Sequence, residues 1–243
     1  MRADAFAIRL RRRGKLEAVD LGVRLCQSAA PSVFRCYLAV AAPFILLSLA
    51  SFEIASWLPT LAIWCAKPWL DRVVLFALSR AAFGQETRLR DLWQEQRSVL
   101  WRQFILTWTW RRLSPWRSFT QPVYQLEGLS IWKVRKRALQ IRKGSTGTAF
   151  TVTAAFSTIE FMLAFALLSL AMWFVPGEAQ VDWVPFFTED NTTVAFATAA
   201  AYGLVVAFLE PFYVAAGFAL YINRRVELEA WDVEQELRRA FER

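Results

Sequence analysis

Histidine is missing from all 243 residues, and cysteine occurs only at Cys26, Cys36 and Cys65, with no CxxC pair. The first absence removes the commonest general base, the Ser–His and Cys–His nucleophile pairs, and imidazole metal ligation. The second leaves no zinc site and no disulfide framework, so the three thiols read as small apolar residues. No metal and no cofactor are expected. The net charge of +8 comes without a zinc finger, an RNP motif or a similar module, and nucleic acid is not an expected partner. No apolar core follows the basic N-terminus at signal-peptide distance, and no cleaved signal peptide is expected.

What is abundant is apolar and aromatic. The chain is 56% hydrophobic, with 12 Trp and 20 Phe, and its mean hydropathy is +0.28. From Val194 to Ile222 it has 29 residues with one charge, Glu210, followed by Arg224–Arg225. At about 1.5 Å per residue this exceeds the roughly 30 Å hydrocarbon core of a bilayer. The pattern predicts a membrane-spanning helix that stops at a basic anchor and continues as a soluble helix.

The rest of the chain follows the same logic. Residues 84–146 carry 13 basic residues against four acids, a net +9, whereas residues 178–193 carry four acids and no Lys or Arg. Positive charge gathers on the cytoplasmic side of membrane proteins. The expected fold is all-α: a polytopic membrane protein of about four crossings, with both termini cytoplasmic, in a bacterial inner membrane. A single membrane domain divides into a cytoplasmic amphipathic arm (1–35), a first hairpin (36–83), a basic interfacial region (84–146), a second hairpin (147–222) and a C-terminal cytoplasmic helix (223–243).

Leu16, Val19, Val23 and Cys26 have the spacing of an amphipathic helix lying on the inner membrane surface. Cys36–Phe52 forms the first span. Ile54–Phe83 contains Lys67–Pro68, and the residue before proline is disfavoured in helical geometry. This predicts two half-helices, kinked or re-entrant. The C-terminal helix has an apolar face at Val226, Ala230, Val233, Leu237 and Phe241 that suits docking.

Two groups of residues are candidate sites. Ionisable residues at membrane depth are costly and point to function. Glu160 lies 12 residues after Thr148 and Glu210 lies 12 residues before Ile222, which puts both about 18 Å from the inner boundary. Arg72, 11 residues before Phe83, lies at roughly 16 Å. One buried cluster of Glu160, Glu210, Asp71 and Arg72 is expected, with the five-donor Arg72 guanidinium bridging the glutamates. Pro211, directly after Glu210, removes a backbone donor there. The second group mixes aromatics and cations at headgroup depth: Trp101, Arg102, Trp108, Arg111, Arg112, Arg117, Lys133, Arg135, Lys136 and Arg137. Its expected partner is the lipid bilayer, through anionic headgroups.

Four stretches, LEAVDLGVRLCQ, KPWLDRVVLFALSRAAFGQ, TWRRLSPWRSFTQPVYQLEG and EPFYVAAGFALYINRRVELEAWDVE, cover most of the chain together with the apolar spans. In these the chain resembles a family of uncharacterised inner-membrane proteins of Gram-negative bacteria. That family is similar in layout to the membrane domain attached to some glycerophosphodiester phosphodiesterases. The resemblance implies a subunit of a membrane assembly, with other membrane subunits or an AAA+ ATPase as partners, and it carries no catalytic residues across. The soluble phosphodiesterase domain has no counterpart here.

The function expected from the sequence is a non-enzymatic inner-membrane scaffold or accessory subunit. The alternative is a small transporter or lipid-handling protein built on the buried Glu/Arg cluster, for which four crossings would call for a homo-oligomer. An intramembrane enzyme ranks last, because no Ser–Lys or metal-ligand arrangement accompanies the buried glutamates.

Overall fold

The structure is a computed structural model and describes residues 12–101, 114–128, 131–173 and 192–229. Among these, every regular element is helical: α1 (Lys15–Ser28), α2 (Ala30–Ala50), α3 (Leu58–Ala81), α4 (Leu89–Gln94), α5 (Arg117–Leu126), α6 (Ile131–Arg142), α7 (Thr146–Trp173) and α8 (Thr192–Glu229). A 3-10 turn, Ser51–Glu53, follows α2, and a π turn, Arg97–Trp101, follows α4. Three helices are long and apolar enough to cross a membrane: 30–53, 146–170 and 192–229. α3 is long enough as well, but carries Lys67, Asp71, Arg72 and Arg80.

The contacts give the helix directions. Phe34 packs on Phe212, Tyr37 donates its hydroxyl to the Val206 carbonyl (3.2 Å), and Phe52 meets Phe196 edge-on, so α2 runs antiparallel to α8. A β-carbon on Gly203 would meet the Ile63 side chain, and Lys67 pairs with Glu210, so α3 runs parallel to α8. Thr153 and Phe156 meet Tyr213 while Glu160 reaches the level of Glu210, so α7 runs antiparallel to α8. The four long helices therefore alternate in direction along the chain. Residues Leu70–Ser79 of α3 are buried without interruption, and α3 forms the centre of the bundle. α7 is peripheral: only 6% of its apolar window is buried.

α1 packs antiparallel along the C-terminal half of α8, burying the small residues Ala18, Gly22 and Cys26 while Leu16 stays 73% exposed. A β-carbon on Gly22 would run into the Ala215 carbonyl, so the backbones are nearly touching. Close helix approach selects small residues, so of the expected face Leu16, Val19, Val23 and Cys26 only Cys26 is fully buried, with Val19 packed beside it against the core. The arm is further tied down where the Arg13 N–H donates to Asn223 Oδ1 (3.0 Å) and Asn223 Nδ2 donates to the Arg13 carbonyl (3.1 Å). Burial pushes the Cys26 thiol up to about 12, which leaves it an apolar filler.

The expected pair of half-helices in Ile54–Phe83 is instead one helix. α3 starts with Pro59 in its first turn, continues through Lys67–Pro68 and closes at Gly84, whose φ of 71° lets the Gln85 N–H return to the Arg80 carbonyl. Pro68 costs a single backbone bond, and the fully buried turns that follow hold the helix together.

The element inserted between longer helices lies elsewhere. α5 is only 10 residues long, yet Arg117 to Val123 are all buried. Gln121 Nε2 donates to the Pro68 carbonyl and Gln125 Nε2 to the Arg72 carbonyl, each at 2.9 Å, so α5 lies parallel to α3 and is fastened to it one turn apart. On its other side a β-carbon on Gly217 would overlap Ser118.

Gly22 and Gly217 are thus the two points where α1 and α5 meet α8 at backbone distance. Gly22→Val and Gly217→Val are expected to destabilise the fold by at least about 1–3 kcal/mol through overpacking. Gly14→Ala, with nothing within 4 Å of its β-carbon, is expected to be near neutral. Thermal unfolding of the detergent-solubilised variants measures the difference.

Candidate functional site

α3 presents Thr60, Trp64, Lys67 and Asp71 at i, i+4, i+7 and i+11, the spacing of a single helix face. That face looks toward α7, α8 and the start of α5. Lys67 Nζ sits 2.6 Å from Glu160 Oε2 on α7 and 2.8 Å from Glu210 Oε2 on α8. Arg117 Nη2 bonds to Glu210 Oε1, and Arg117 Nε lies 3.0 Å from Asp71 Oδ2. The result is one chain of alternating charge: Glu160, Lys67, Glu210, Arg117, Asp71. The Arg117–Asp71 contact is close but poorly aligned, since neither Arg117 Nε nor either Asp71 oxygen makes a hydrogen bond of good geometry. Arg117 also lies over the Tyr213 ring, 5.2 Å from its centroid.

Among the described residues, three carboxyl groups and two cations make up this chain. Its inner members are sealed: the side chains of Asp71 and Glu210 are 1% and 2% exposed. Its outer member is not, because Glu160 is 15% exposed and Lys67 8%. Both open onto a cavity of about 730 Å³ between α7 and the α3–α8 pair. Polar groups are concentrated at Lys67, Glu160 and Arg117, with Ser114, Thr153 and Ser157 beside them. Trp64, Phe156, Phe161, Phe165, Leu168 and Leu209 supply apolar walls. On α7 the lining runs from Thr153 to Leu168, 15 residues or about 22 Å along the helix, most of the depth of a hydrocarbon core.

Glu160, Glu210 and Asp71 therefore meet, but their bridging cations are not the one expected. Among the described residues the ion pairs of Glu160 and Glu210 are with Lys67 and Arg117. Arg72 is one residue, and about 100°, round the helix from Asp71. It points to the other side of α3, where its Nη2 donates to the Ser98 carbonyl (3.2 Å), close to the bond from Trp69 Nε1 to the Leu100 carbonyl (3.1 Å). Matching Cα depths favours Arg72, whereas Lys67 lies five residues earlier on the helix and reaches back with its long stem. The sequence does mark Lys67 in one way, as the residue one turn before Asp71 on the same face.

The headgroup set also divides. Arg102, Trp108, Arg111 and Arg112 lie outside the described residues. Trp101 is 61% exposed, and Lys133, Arg135 and Lys136 are exposed. Arg117 is a correction: it is 8% exposed and belongs to the buried charge chain, not to a surface. Its sequence signal is the uncharged run SFTQPVYQL that follows it inside an otherwise basic region. Arg137 is half-buried and pairs with Glu127 and Glu229, so its charge is used within the protein. The basic anchor after the last span is used in the same way, through Arg224 with Glu227 (2.6 Å) and Arg225 with Glu229 (2.6 Å). The docking face proposed for the C-terminal helix lies, beyond Val226, outside the described residues.

No protein-family model matches the chain, and neither the curated proteins nor the solved structures contain a match.

Removing one partner of a buried ion pair costs about 3–5 kcal/mol. Lys67→Met is accordingly expected to lose stability on that scale, and Lys67→Met with Glu160→Gln to recover part of it. The coupling between Lys67 and Glu160 in a double-mutant cycle is expected at about 1–3 kcal/mol, and that between Arg72 and Glu160 near zero. Equilibrium unfolding in mixed micelles gives both; a larger coupling for Arg72 would show that the charge chain is assigned to the wrong cation.

Proposed function

We propose that this protein is a small lipid-handling or transport protein that holds an amphiphile in the cavity beside α7, with the positively charged amine of its head on Glu160 and its tail along the aromatic walls. One observation carries this: among the described residues the charge chain ends at its most exposed member, Glu160, which lies inside a mostly apolar cavity. An ammonium group there extends the alternation by one charge beyond Lys67, and the half-shielded carboxylate is the partner it needs away from water. The apolar length of about 22 Å suits an acyl chain. Charges near the midplane beside proline-interrupted helices are also how many membrane transporters form their sites, and Pro68 and Pro211 adjoin Lys67 and Glu210.

In this reading α3 is a fourth crossing whose charges are shielded by its neighbours. The alternation of α2, α3, α7 and α8 supports it, and the +9 region supports a reading in which both termini are cytoplasmic in a bacterial inner membrane. α5 enters from that side and is tolerated at depth because protein, not lipid, surrounds it. The accessory-subunit reading retains one specific support, the almost entirely outward-facing α7, with Phe161 73% and Met162 63% exposed. Such a helix suits a partner subunit as well as lipid.

Dodecylamine and dodecanol distinguish the two in the purified protein. The amine is expected to raise the unfolding temperature more than the alcohol, and Glu160→Gln to abolish the difference. Equal effects of amine and alcohol on the wild-type protein would remove the proposed role of Glu160 and leave the accessory-subunit reading, which crosslinking from α7 in membranes then tests.

A further inference from the structure

Arg117 separates two cavities. On its other side from the α7 cavity, a second space of about 400 Å³ lies between α5 and α6, and Ser114, Pro115 and Arg117 line both. Three arginines, Arg117, Arg135 and Arg142, line it, and among the described residues lining it there is no carboxylate. Arg117 is already engaged by Asp71 and Glu210. Arg135 and Arg142 are in no ion pair among the described residues, unlike Arg137 on the same helix.

Both of these arginines line the same cavity. They are seven residues apart on α6, two turns or about 10 Å, on the face that also carries Ala138 and Leu139 into the cavity. Arg142 is held in place: its guanidinium lies 3.6 Å from the Trp116 ring centroid, and Trp116 is itself fixed by the bond from its Nε1 to the Thr146 carbonyl (3.1 Å). Stacking leaves the edge of the guanidinium free to donate, and Arg142 Nε is buried without a hydrogen-bond partner. A planar fork with unused donors, a second arginine and no competing carboxylate match the geometry and charge of a phosphate group.

We infer that the cavity between α5 and α6 is a phosphate-binding site, with Arg142 and Arg135 as the ligating residues and Trp116 as the platform that orients Arg142. The phosphate is that of a lipid headgroup or of a soluble phosphate compound. This site stands independently of whether the α7 cavity binds an amine.

The full chain in phosphatidylcholine nanodiscs is titrated with inorganic phosphate, and in parallel reconstituted into discs containing phosphatidic acid. Phosphorus NMR line shape and the unfolding temperature are followed in both. Binding of inorganic phosphate assigns the site to soluble phosphates, and an effect of phosphatidic acid alone assigns it to a headgroup. In either case Arg142→Gln and Arg135→Gln are each expected to weaken the response about tenfold or more, the loss of a charge-assisted hydrogen bond. Arg135 is exposed, so its variant keeps the fold if that of Arg142 does not. No response to either probe above plain phosphatidylcholine discs, or a response that Arg135→Gln leaves intact, overturns the assignment.

Discussion

Glu210 accepts from two cations at once, Lys67 and Arg117, at a place where its side chain is 2% exposed. An uncompensated carboxylate there would be prohibitive, and each compensating cation comes from a different helix. Lys67 brings in α3 and Arg117 brings in α5, while Lys67 also draws Glu160 of α7. Four elements are thereby held in one register by a single carboxylate. Pairs of this kind stabilise little against an apolar core of the same shape, yet are costly to break. Their effect is to exclude other arrangements of helices that are otherwise uniformly greasy.

Around that point the packing is governed by small residues. α8 carries Ala215, Ala216, Gly217 and Ala219 one turn beyond Pro211, and on two of its sides a neighbouring backbone comes to touching distance, α1 at Gly22 and α5 at Ser118. The close approach of α5 brings Arg117 within reach of Glu210, so the charge chain and the small-residue stripe depend on each other. α7 runs close to α8, meeting Tyr213 through Thr153 and Phe156, but stays apart from α3, and the space left there is the larger cavity.

Arg117 has a further position in this arrangement. It closes the charge chain on one side and forms part of the wall of the second cavity on the other. A change in the charge chain therefore adjoins the proposed phosphate site through a single side chain. The basic character of the region 84–146 is not uniform either: Arg137 is consumed by Glu127 and Glu229, whereas Arg135 and Arg142 are not paired among the described residues. Net charge alone hides that division.

Composition and spacing determined that the chain is helical and carries apolar spans, which the structure has within helices 30–53, 146–170 and 192–229, because hydropathy and helix rise are properties of consecutive residues. They also singled out Glu160, Glu210 and Asp71, since a carboxylate within an apolar run is conspicuous by itself. The cations that meet them were decided only in three dimensions. Side-chain reach put Lys67 where Cα depth had suggested Arg72, and the burial of a ten-residue helix took Arg117 from an apparently superficial basic region into the core. The seat of α1 against α8 was likewise set by backbone proximity at Gly22, which the apolar periodicity of the arm does not encode. Sequence periodicity reports which face of a helix is apolar; which helix comes near enough to use it depends on the shape of the partner.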